Sequence, residues 1–144
     1  MTQTTTEKAN MVTVRKFFEV GPSKGDIAAA DTLLASDFSL HVPLPTPGPG
    51  IEAINNVITT CRAAFHGLNV TIDDLMADGD KVTCRFTARG THNGEFMGLR
   101  PTGKPVVMTG IEIFSLRNGK IAELWGEANL MGLMQQLGIV PSSA

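Results

Sequence analysis

The spacing of apolar residues divides the chain into a helical first part and a sheet-forming second part. Residues 6–20 carry apolar side chains at helical spacing and predict a first helix. Asp26 can cap a second helix, and the apolar stripe of residues 51–66 predicts a third. Between these two helices, residues 39–42 are predicted to be extended. A proline-rich loop at 43–50 follows, because its prolines disfavour both helix and central strand.

The second part of the chain changes to a period of two, which is the repeat of a β-strand. Two tight turns, at residues 78–80 and 117–119, predict hairpins between the strands, and residues 131–137 predict a short last helix. The predicted strands are residues 69–76, 81–92, 106–116 and 120–129. This order predicts an α+β fold: a cone-shaped, curved antiparallel sheet of four strands covered by three N-terminal helices. A curved sheet closed by helices leaves a cavity in which a small molecule can bind.

Composition limits the classes of partner. The chain has 144 residues, of which 42% are hydrophobic and 18% are charged, with a formal net charge of −2. These values predict a single domain over residues 1–144, with a flexible leader at 1–6 and a flexible tail at 140–144. Binding of nucleic acid would need a cluster of basic residues. A membrane-spanning helix would need an apolar run of about 20 residues. The sequence has neither, so neither partner is expected.

The N-terminal residues have no basic segment followed by an apolar one, so no signal peptide is predicted. The two cysteines, Cys61 and Cys84, lack the spacing of a zinc site and are predicted to be free thiols. Free thiols fit a reducing compartment, which predicts a cytoplasmic location.

Several segments of the chain resemble one family. The segments are GTHNGEFMG at 90–98, PTGKP at 101–105, GIEIF at 110–114, GKIAELW at 119–125 and GLMQQLG at 132–138. They look like the SnoaL-like polyketide cyclase group of the nuclear transport factor 2-like superfamily, over residues 10–140. The resemblance implies a cone-shaped α+β barrel that closes a ring by intramolecular aldol condensation, without a metal or organic cofactor.

The same resemblance implies a catalytic aspartate four residues after the tryptophan of the last strand. Here that tryptophan is Trp125 and the aspartate position holds Asn129. An amide cannot accept and return a proton as a carboxylate does. Another ionisable residue would therefore have to serve as the acid or base, while Asn129 could orient a carbonyl group or hold a water molecule.

The period of the last strand suggests which residue that is. Alternation places Ile121, Glu123, Trp125, Glu127 and Asn129 on one face, which we expect to look into the cavity. Glu127 is then the candidate acid/base, because an apolar pocket raises the pKa of a carboxyl group towards neutrality. Glu123 is a second carboxyl group on that face, and Trp125 is the expected wall of the pocket.

Histidines are further candidate bases, since the pKa of imidazole lies near the working pH. His41 precedes the proline-rich loop and is expected at the mouth of the cone. His92 shares the inward parity of Phe86, which is expected to contact the ligand. The histidines show no HxH or HxxxH spacing, so no metal site is predicted.

One charged residue lies in the middle of a predicted strand. Glu112 has apolar neighbours on both sides, so it either pairs with Arg85 or Arg89 on the solvated face or lies in the pocket. The salt bridge is the preferred interpretation. The apolar outer face of the same strand predicts a homodimer through the sheets; its residues are Val107, Ile111 and Ile113.

Three functions remain open from the sequence. The first is a cyclase, lyase or isomerase that acts by acid–base chemistry on a polyketide-like carbonyl compound. The second is a non-catalytic binding or accessory domain for a hydrophobic small molecule. An ionisable group deep in the pocket would favour catalysis, and a pocket holding only Asn129 and Trp125 would favour binding. A hydrolase is the third, although the strands offer no clear aspartate for one.

Overall fold

The computed structural model describes residues 3–43 and 48–141. Four α-helices, one π-helical turn and five β-strands follow one another along these residues. They are α1 (Thr5–Phe18), the π-helical turn (Glu19–Ser23), α2 (Ile27–Asp31), β1 (Leu34–His41), α3 (Gly50–Ala64), β2 (Phe65–Asp78), β3 (Lys81–His92), β4 (Pro105–Arg117), β5 (Lys120–Ala128) and α4 (Leu130–Gln136). The α+β class and the curved sheet predicted from the sequence are confirmed.

The helix α1 begins inside the segment that was predicted to be a flexible leader. Thr4 and Glu7 form a capping box, in which each side chain accepts a hydrogen bond from the backbone N–H of the other. This pair satisfies two N–H groups that a helix start leaves free, so the helix begins at Thr5. The central residues 44–47 of the proline-rich loop, and the ends of the predicted leader and tail, lie outside the described residues.

The sheet has five strands rather than the predicted four. Its strand order is β1-β5-β4-β3-β2, with β1 parallel to β5 and every other pair antiparallel. The extra strand is longer than the predicted extended segment at 39–42, because Leu34 already pairs with Ile121 of β5. The second helix is correspondingly short and ends at Asp31. A parallel pairing between distant segments leaves no local signal in the sequence.

Aromatic side chains join the helices to the inner face of the sheet. Phe17 and Phe18 of α1 both contact Phe114 of β4, with ring centroids 6.1 and 5.7 Å apart and the rings close to edge-on. Leu124 of β5 and Val82 of β3 are buried beside them. This cluster is the well-packed end of the core. Beyond it, the space between the sheet and the helices is less completely filled by side chains.

A β-bulge in β5 decides which side chains face the interior. Ser115 of β4 pairs with Glu123, but the next residue, Leu116, pairs with Ile121, so Ala122 is an additional residue on β5. Beyond the bulge the alternation is inverted. Ile121 is buried, yet the next buried residue on the inner face is Leu124 rather than Glu123. The predicted face of this strand is therefore wrong from Glu123 onward.

Candidate functional site

A cavity of about 160 Å³ lies between the inner face of the sheet and the helices that cover it. The helix α3 covers it with Ile54, Ile58 and Cys61, and α4 contributes Leu130 and Leu133. The sheet contributes most of the remaining wall, including Phe86, Ala88, Met108, Glu112 and Gly126. The lining is almost wholly apolar, so any polar side chain in it has few groups to interact with.

Glu112 is the ionisable side chain that the fold places inside this cavity. Its inward direction follows from the register, because it lies in one row with buried Cys84 on β3 and buried Gly126 on β5. Its carboxyl group has no hydrogen-bond or ion-pair partner among the described residues. Burial away from water raises the pKa of Glu112 from 4.5 to about 8. The carboxyl group is therefore mostly protonated at pH 7.

Two glycines in the middle of strands make room for this arrangement. A Cβ atom at Gly126 would lie 2.9 Å from Glu112 Oε2 and 3.1 Å from Val42 Cγ1. A Cβ atom at Gly110 would clash with the ring of Phe86. Both glycines thus let a neighbouring side chain fold across the inner face of the sheet. Gly126 itself lines the cavity, so the missing side chain at this position leaves space inside it.

The salt bridge preferred for Glu112 from the sequence is wrong. Arg85 and Arg89 point to the outer face of β3, on the opposite side of the sheet from Glu112. The ion-pair partner of Arg85 is Asp73 of β2, at 3.7 Å. The opposite charges of Glu112 and the two arginines suggested an ion pair. The pleat of the strands, however, directs their side chains to opposite faces of the sheet.

The three residues expected to line the pocket from β5 lie on its outer face. Trp125 is 37% exposed, and the side chains of Glu127 and Glu123 also lie on the outer side. Glu127 forms part of the cavity wall, and its backbone oxygen approaches the interior at Gly110. The bulge at Ala122 accounts for all three placements, since it exchanges the two faces of the strand.

His41 belongs to the same outer face rather than to the cavity. It pairs with Trp125 across the parallel strands, and the two rings are stacked with centroids 5.3 Å apart. His41 Nε2 lies 2.9 Å from Glu123 Oε2. Lys81 Nζ lies 5.5 Å from the centroid of the Trp125 ring. These four residues form one polar and aromatic cluster on the outside of the sheet.

His92 faces inward, as its parity predicted, but it is packed beyond the end of the cavity. It is fully buried and contacts Phe65, with ring centroids 5.5 Å apart. The backbone N–H of Thr102 donates to His92 Nδ1, at 3.2 Å, so the ring proton resides on Nε2. Among the described residues no partner accepts a hydrogen bond from Nε2. The side chain is not among those that line the cavity.

Asn129 has a structural role at the start of α4. Its side-chain oxygen accepts a hydrogen bond from the backbone N–H of Gly132, at 2.9 Å, which makes it the N-cap of the helix. Its own N–H donates to the carbonyl oxygen of Thr109. The residue at the position of the family's aspartate therefore joins α4 to the sheet and is itself exposed. The short helix that it caps brings Leu133 to the cavity wall.

Phe86 and Cys61 are two of the residues that line the cavity. Phe86 is a wall of the cavity, in agreement with its predicted inward face. Cys61 also lines the cavity, and burial raises the pKa of its thiol to about 11, so it is protonated and unreactive at neutral pH. Within residues 3–43 and 48–141, no group of three His, Cys, Asp or Glu side chains could hold a metal ion. No helix within the same residues is long and apolar enough to cross a membrane.

Sequence reasoning gave Glu112 too little weight, although two signals pointed to it. One was its position in the middle of an otherwise apolar strand. The other was the presence of Gly110 and Gly126 within predicted strands, which marks a close approach of another group. In the structure these two glycines leave the space into which the side chains of Phe86 and Glu112 fold.

Comparison with known proteins identifies the family of this chain. A sequence profile of the SnoaL-like polyketide cyclase family matches residues 12–137. This protein belongs to the SnoaL-like polyketide cyclase family. The family assignment confirms the resemblance noted in the sequence. No curated protein matches the chain at a significant level.

Solved structures of similar proteins share the fold over nearly the whole chain. IdmH from Streptomyces antibioticus, a candidate polyketide cyclase, is 32% identical, with a TM-score of 0.78 over 90% of this chain and 98% of that chain. TsrD from Streptomyces laurentii is 28% identical, with a TM-score of 0.82 over 92% of this chain and 97% of that one. A candidate SnoaL-like cyclase from Jannaschia species CCS1 is 22% identical, with a TM-score of 0.87 over 98% and 99% of the two chains, and shows the fold alone.

Proposed function

We propose that this protein is an acid–base catalyst of the cyclase type that closes a ring in a compact, largely apolar carbonyl compound. The observation that supports this proposal is the carboxyl group of Glu112, which lies without a partner in an apolar cavity and has a pKa of about 8. A general acid or base works best when its pKa lies near the operating pH. We assign that role to Glu112 in place of the family's aspartate.

One residue can carry both proton transfers of an aldol condensation. Ionised Glu112 removes a proton from the carbon beside one carbonyl group, and the resulting enolate attacks a second carbonyl group to form the carbon–carbon bond. Protonated Glu112 then returns the proton to the new alkoxide, and loss of one water molecule gives the conjugated ring. With a pKa of about 8, roughly one carboxyl group in ten is ionised at pH 7, so both forms are available.

The lining limits the substrate. Arg89 belongs to the cavity wall, but its side chain points to the outer face, so it cannot neutralise an enolate inside. An apolar cavity of about 150 Å³ in another protein holds one benzene ring. The cavity of about 160 Å³ here therefore fits a small cyclic or aromatic compound with one polar group directed at Glu112.

The cavity favours catalysis over the alternative of a non-catalytic binding domain. An ionisable group inside the pocket favours catalysis over binding alone, and Glu112 is such a group. A purely binding pocket for an apolar ligand gains nothing from a carboxyl group whose burial opposes its ionisation. A pocket that only binds was expected to hold Asn129 and Trp125. Both residues lie outside the cavity.

The experiment uses two defined probes. Heptane-2,6-dione closes to a methylcyclohexenone by intramolecular aldol condensation, and 5-nitrobenzisoxazole opens when one base removes one proton. We expect the wild-type protein to accelerate both reactions above the rate in buffer. Glu112→Gln should lower both rates by about a hundredfold or more, because the amide cannot transfer a proton.

Glu127→Gln is the matched control, since it makes the same chemical change on the outer face of the sheet. Its rates should equal those of the wild type. Equal rates for Glu112→Gln and the wild type would contradict the assignment of Glu112. If the protein opens the benzisoxazole but does not close the diketone, the result would support Glu112 as a base and contradict the proposed aldol reaction.

Two further expectations from the sequence stay predictions. The first is a cytoplasmic location, which rests on the free thiols Cys61 and Cys84. The second is a homodimer through the sheets, which the exposed apolar side chains of β4 favour and which light scattering at micromolar concentration would test.

A further inference from the structure

The wall around the carboxyl group of Glu112 is rich in aromatic rings. Five phenylalanines line the cavity, namely Phe17, Phe18, Phe65, Phe86 and Phe96. Phe18 and Phe86 contact each other, with ring centroids 5.9 Å apart. Aromatic rings pack favourably against a further ring at offset or edge-on angles. The wall therefore suits a ligand that carries one flat ring.

No basic side chain of the described residues pairs with the carboxyl group of Glu112. The four ion pairs in this part of the chain do not include it. Arg85 and Arg89 of the adjacent strand β3 point to the outer face of the sheet. The ionised form of Glu112 thus lacks a counter-ion from these residues, and a ligand that enters the cavity can supply one.

The other titratable side chains that face the cavity near Glu112 are two thiols. Cys84 is the neighbour of Glu112 on β3, and Cys61 lines the cavity from α3. Burial raises the pKa of Cys84 to about 12 and that of Cys61 to about 11, so both are neutral at pH 7. The strands on the other side contribute only Gly126 and Val42. A charged ligand would therefore interact mainly with Glu112.

We propose that the cavity is also a binding site for compact aromatic amines, whose ammonium group pairs with the carboxylate of Glu112. An ammonium group has three N–H donors, and the two carboxylate oxygens can accept them. The ring of the amine packs against the phenylalanines of the wall. This inference rests on the same carboxyl group as the proposed function, but it requires only binding and no turnover.

Pairing leaves the cavity without net charge. When the ammonium ion enters, the proton of Glu112 passes to the buffer, and an ion pair replaces the neutral carboxyl group. A paired charge is less costly to bury than a lone one, because the partner compensates part of the lost hydration. The volume of about 160 Å³ limits the ligand to about one ring with a short arm, as in benzylamine.

The test compares benzylamine with benzyl alcohol, which has the same number of non-hydrogen atoms but no charge. Isothermal titration calorimetry measures both affinities for the wild-type protein at pH 6 and pH 7. We expect benzylamine to bind about tenfold more tightly at pH 7, because the ionised fraction of Glu112 rises by about that factor. The affinity for benzyl alcohol should change by less than about twofold, since the alcohol carries no charge.

Proton release gives a second measurement, which needs no variant. Calorimetry in two buffers of different ionisation enthalpy counts the protons that leave on binding. At pH 7 benzylamine should release about nine tenths of a proton per site, because about that fraction of Glu112 is protonated beforehand. Benzyl alcohol should release none.

Two variants locate the charge that the amine recognises. Glu112→Gln keeps the shape of the side chain and removes its charge. At pH 8 it should bind benzylamine at least about tenfold more weakly than the wild type, and benzyl alcohol about equally. Glu127→Gln makes the same change on the outer face of the sheet, so its affinities and its proton release should equal those of the wild type.

Three results would overturn the proposal. One is a wild-type protein that does not bind benzylamine. Another is binding without proton release and without dependence on pH, because the amine would then not pair with Glu112. The third is wild-type affinity of Glu112→Gln for benzylamine at pH 8.

The outcome is distinguishable from that of the proposed function. Binding of benzylamine with proton release, by a protein that turns over neither the diketone nor the benzisoxazole, would support the amine site and contradict the catalytic role. Turnover of both probes without binding of benzylamine would contradict the amine site alone.

Discussion

The carboxyl group of Glu112 folds across Gly126 of the neighbouring strand, where a Cβ atom would come within 2.9 Å of Oε2. The two residues lie in one row, and both face the cavity. Gly126 has no side chain, and it therefore leaves the space that the carboxyl group occupies.

Substitution of this glycine should displace the acid without unfolding the protein. In Gly126→Ala the new methyl group meets the flexible end of Glu112, so the carboxyl group moves and the sheet does not. We expect a loss of about 1 kcal/mol in the free energy of unfolding, at the low end of overpacking. Turnover of the diketone should fall by roughly tenfold to a hundredfold, since misplaced catalytic groups lose rate steeply.

Urea unfolding and initial rates on the same preparation measure both effects. A Gly126→Ala protein with wild-type stability and wild-type turnover would show that the contact between Gly126 and Glu112 does not position the acid.

Much of the fold could be predicted because its signals are local. The order of the elements follows from the spacing of apolar residues, and the hairpins follow from turn residues such as Gly79 and Gly119, both of which have positive φ. The family resemblance depends on segments of a few residues each, so it was visible as well.

The rest depends on contacts between distant segments. The strand β1 exists because Leu34 and His41 pair with β5 across about 80 residues of sequence. The bulge at Ala122 depends on the register of β4 against β5, and one additional residue moved Glu127 from the expected inner face to the outer face. The sequence therefore predicted the pocket carboxyl group on β5, whereas the carboxyl group in the cavity lies on β4. Glu112 was predicted to form a surface salt bridge instead.

The raised pKa of Glu112 makes the stability of the protein depend on pH. In the folded state the group stays protonated up to a pKa of about 8, whereas in the unfolded state it ionises near 4.5. The folded state therefore binds more protons between these values, and the free energy of unfolding falls as the pH rises. At about 1.4 kcal/mol per pKa unit, the whole shift corresponds to a few kcal/mol.

Urea unfolding of the wild type and of Glu112→Gln at pH 5 and pH 9 measures this contribution. The variant lacks the titrating group, so it should gain stability relative to the wild type as the pH rises. Glu127→Gln is the control for the loss of one glutamate, because its side chain lies on the outer face. A constant difference between Glu112→Gln and the wild type would contradict burial of the carboxyl group.

Asn129 should behave as a helix cap rather than as a catalytic residue. Asn129→Ala removes the acceptor for the N–H of Gly132 and should lower the free energy of unfolding by about 1 kcal/mol. Asn129→Asp keeps an acceptor at the same position, so its stability should remain close to that of the wild type. Denaturant unfolding of the two variants measures the difference.

Restoring the family's carboxylate also tests the assignment of the acid. Asn129→Asp in a Glu112→Gln background should stay inactive with the diketone, because residue 129 lies outside the cavity wall. Recovery of turnover in that double variant would show that position 129 can reach the substrate.

The titration of Glu112 itself shows whether its carboxyl group can act as an acid and a base near neutral pH. Carbon-13 NMR of protein labelled at the glutamate side-chain carboxyl carbons follows each group with pH, and the resonance missing from Glu112→Gln identifies this one. We expect a midpoint near pH 8, far above the usual value of 4.5, because the carboxyl group is buried in the apolar cavity. A midpoint between pH 4 and 5 would mean that water reaches the carboxyl group freely, and it would contradict the assignment of Glu112 as the acid–base residue of an apolar pocket.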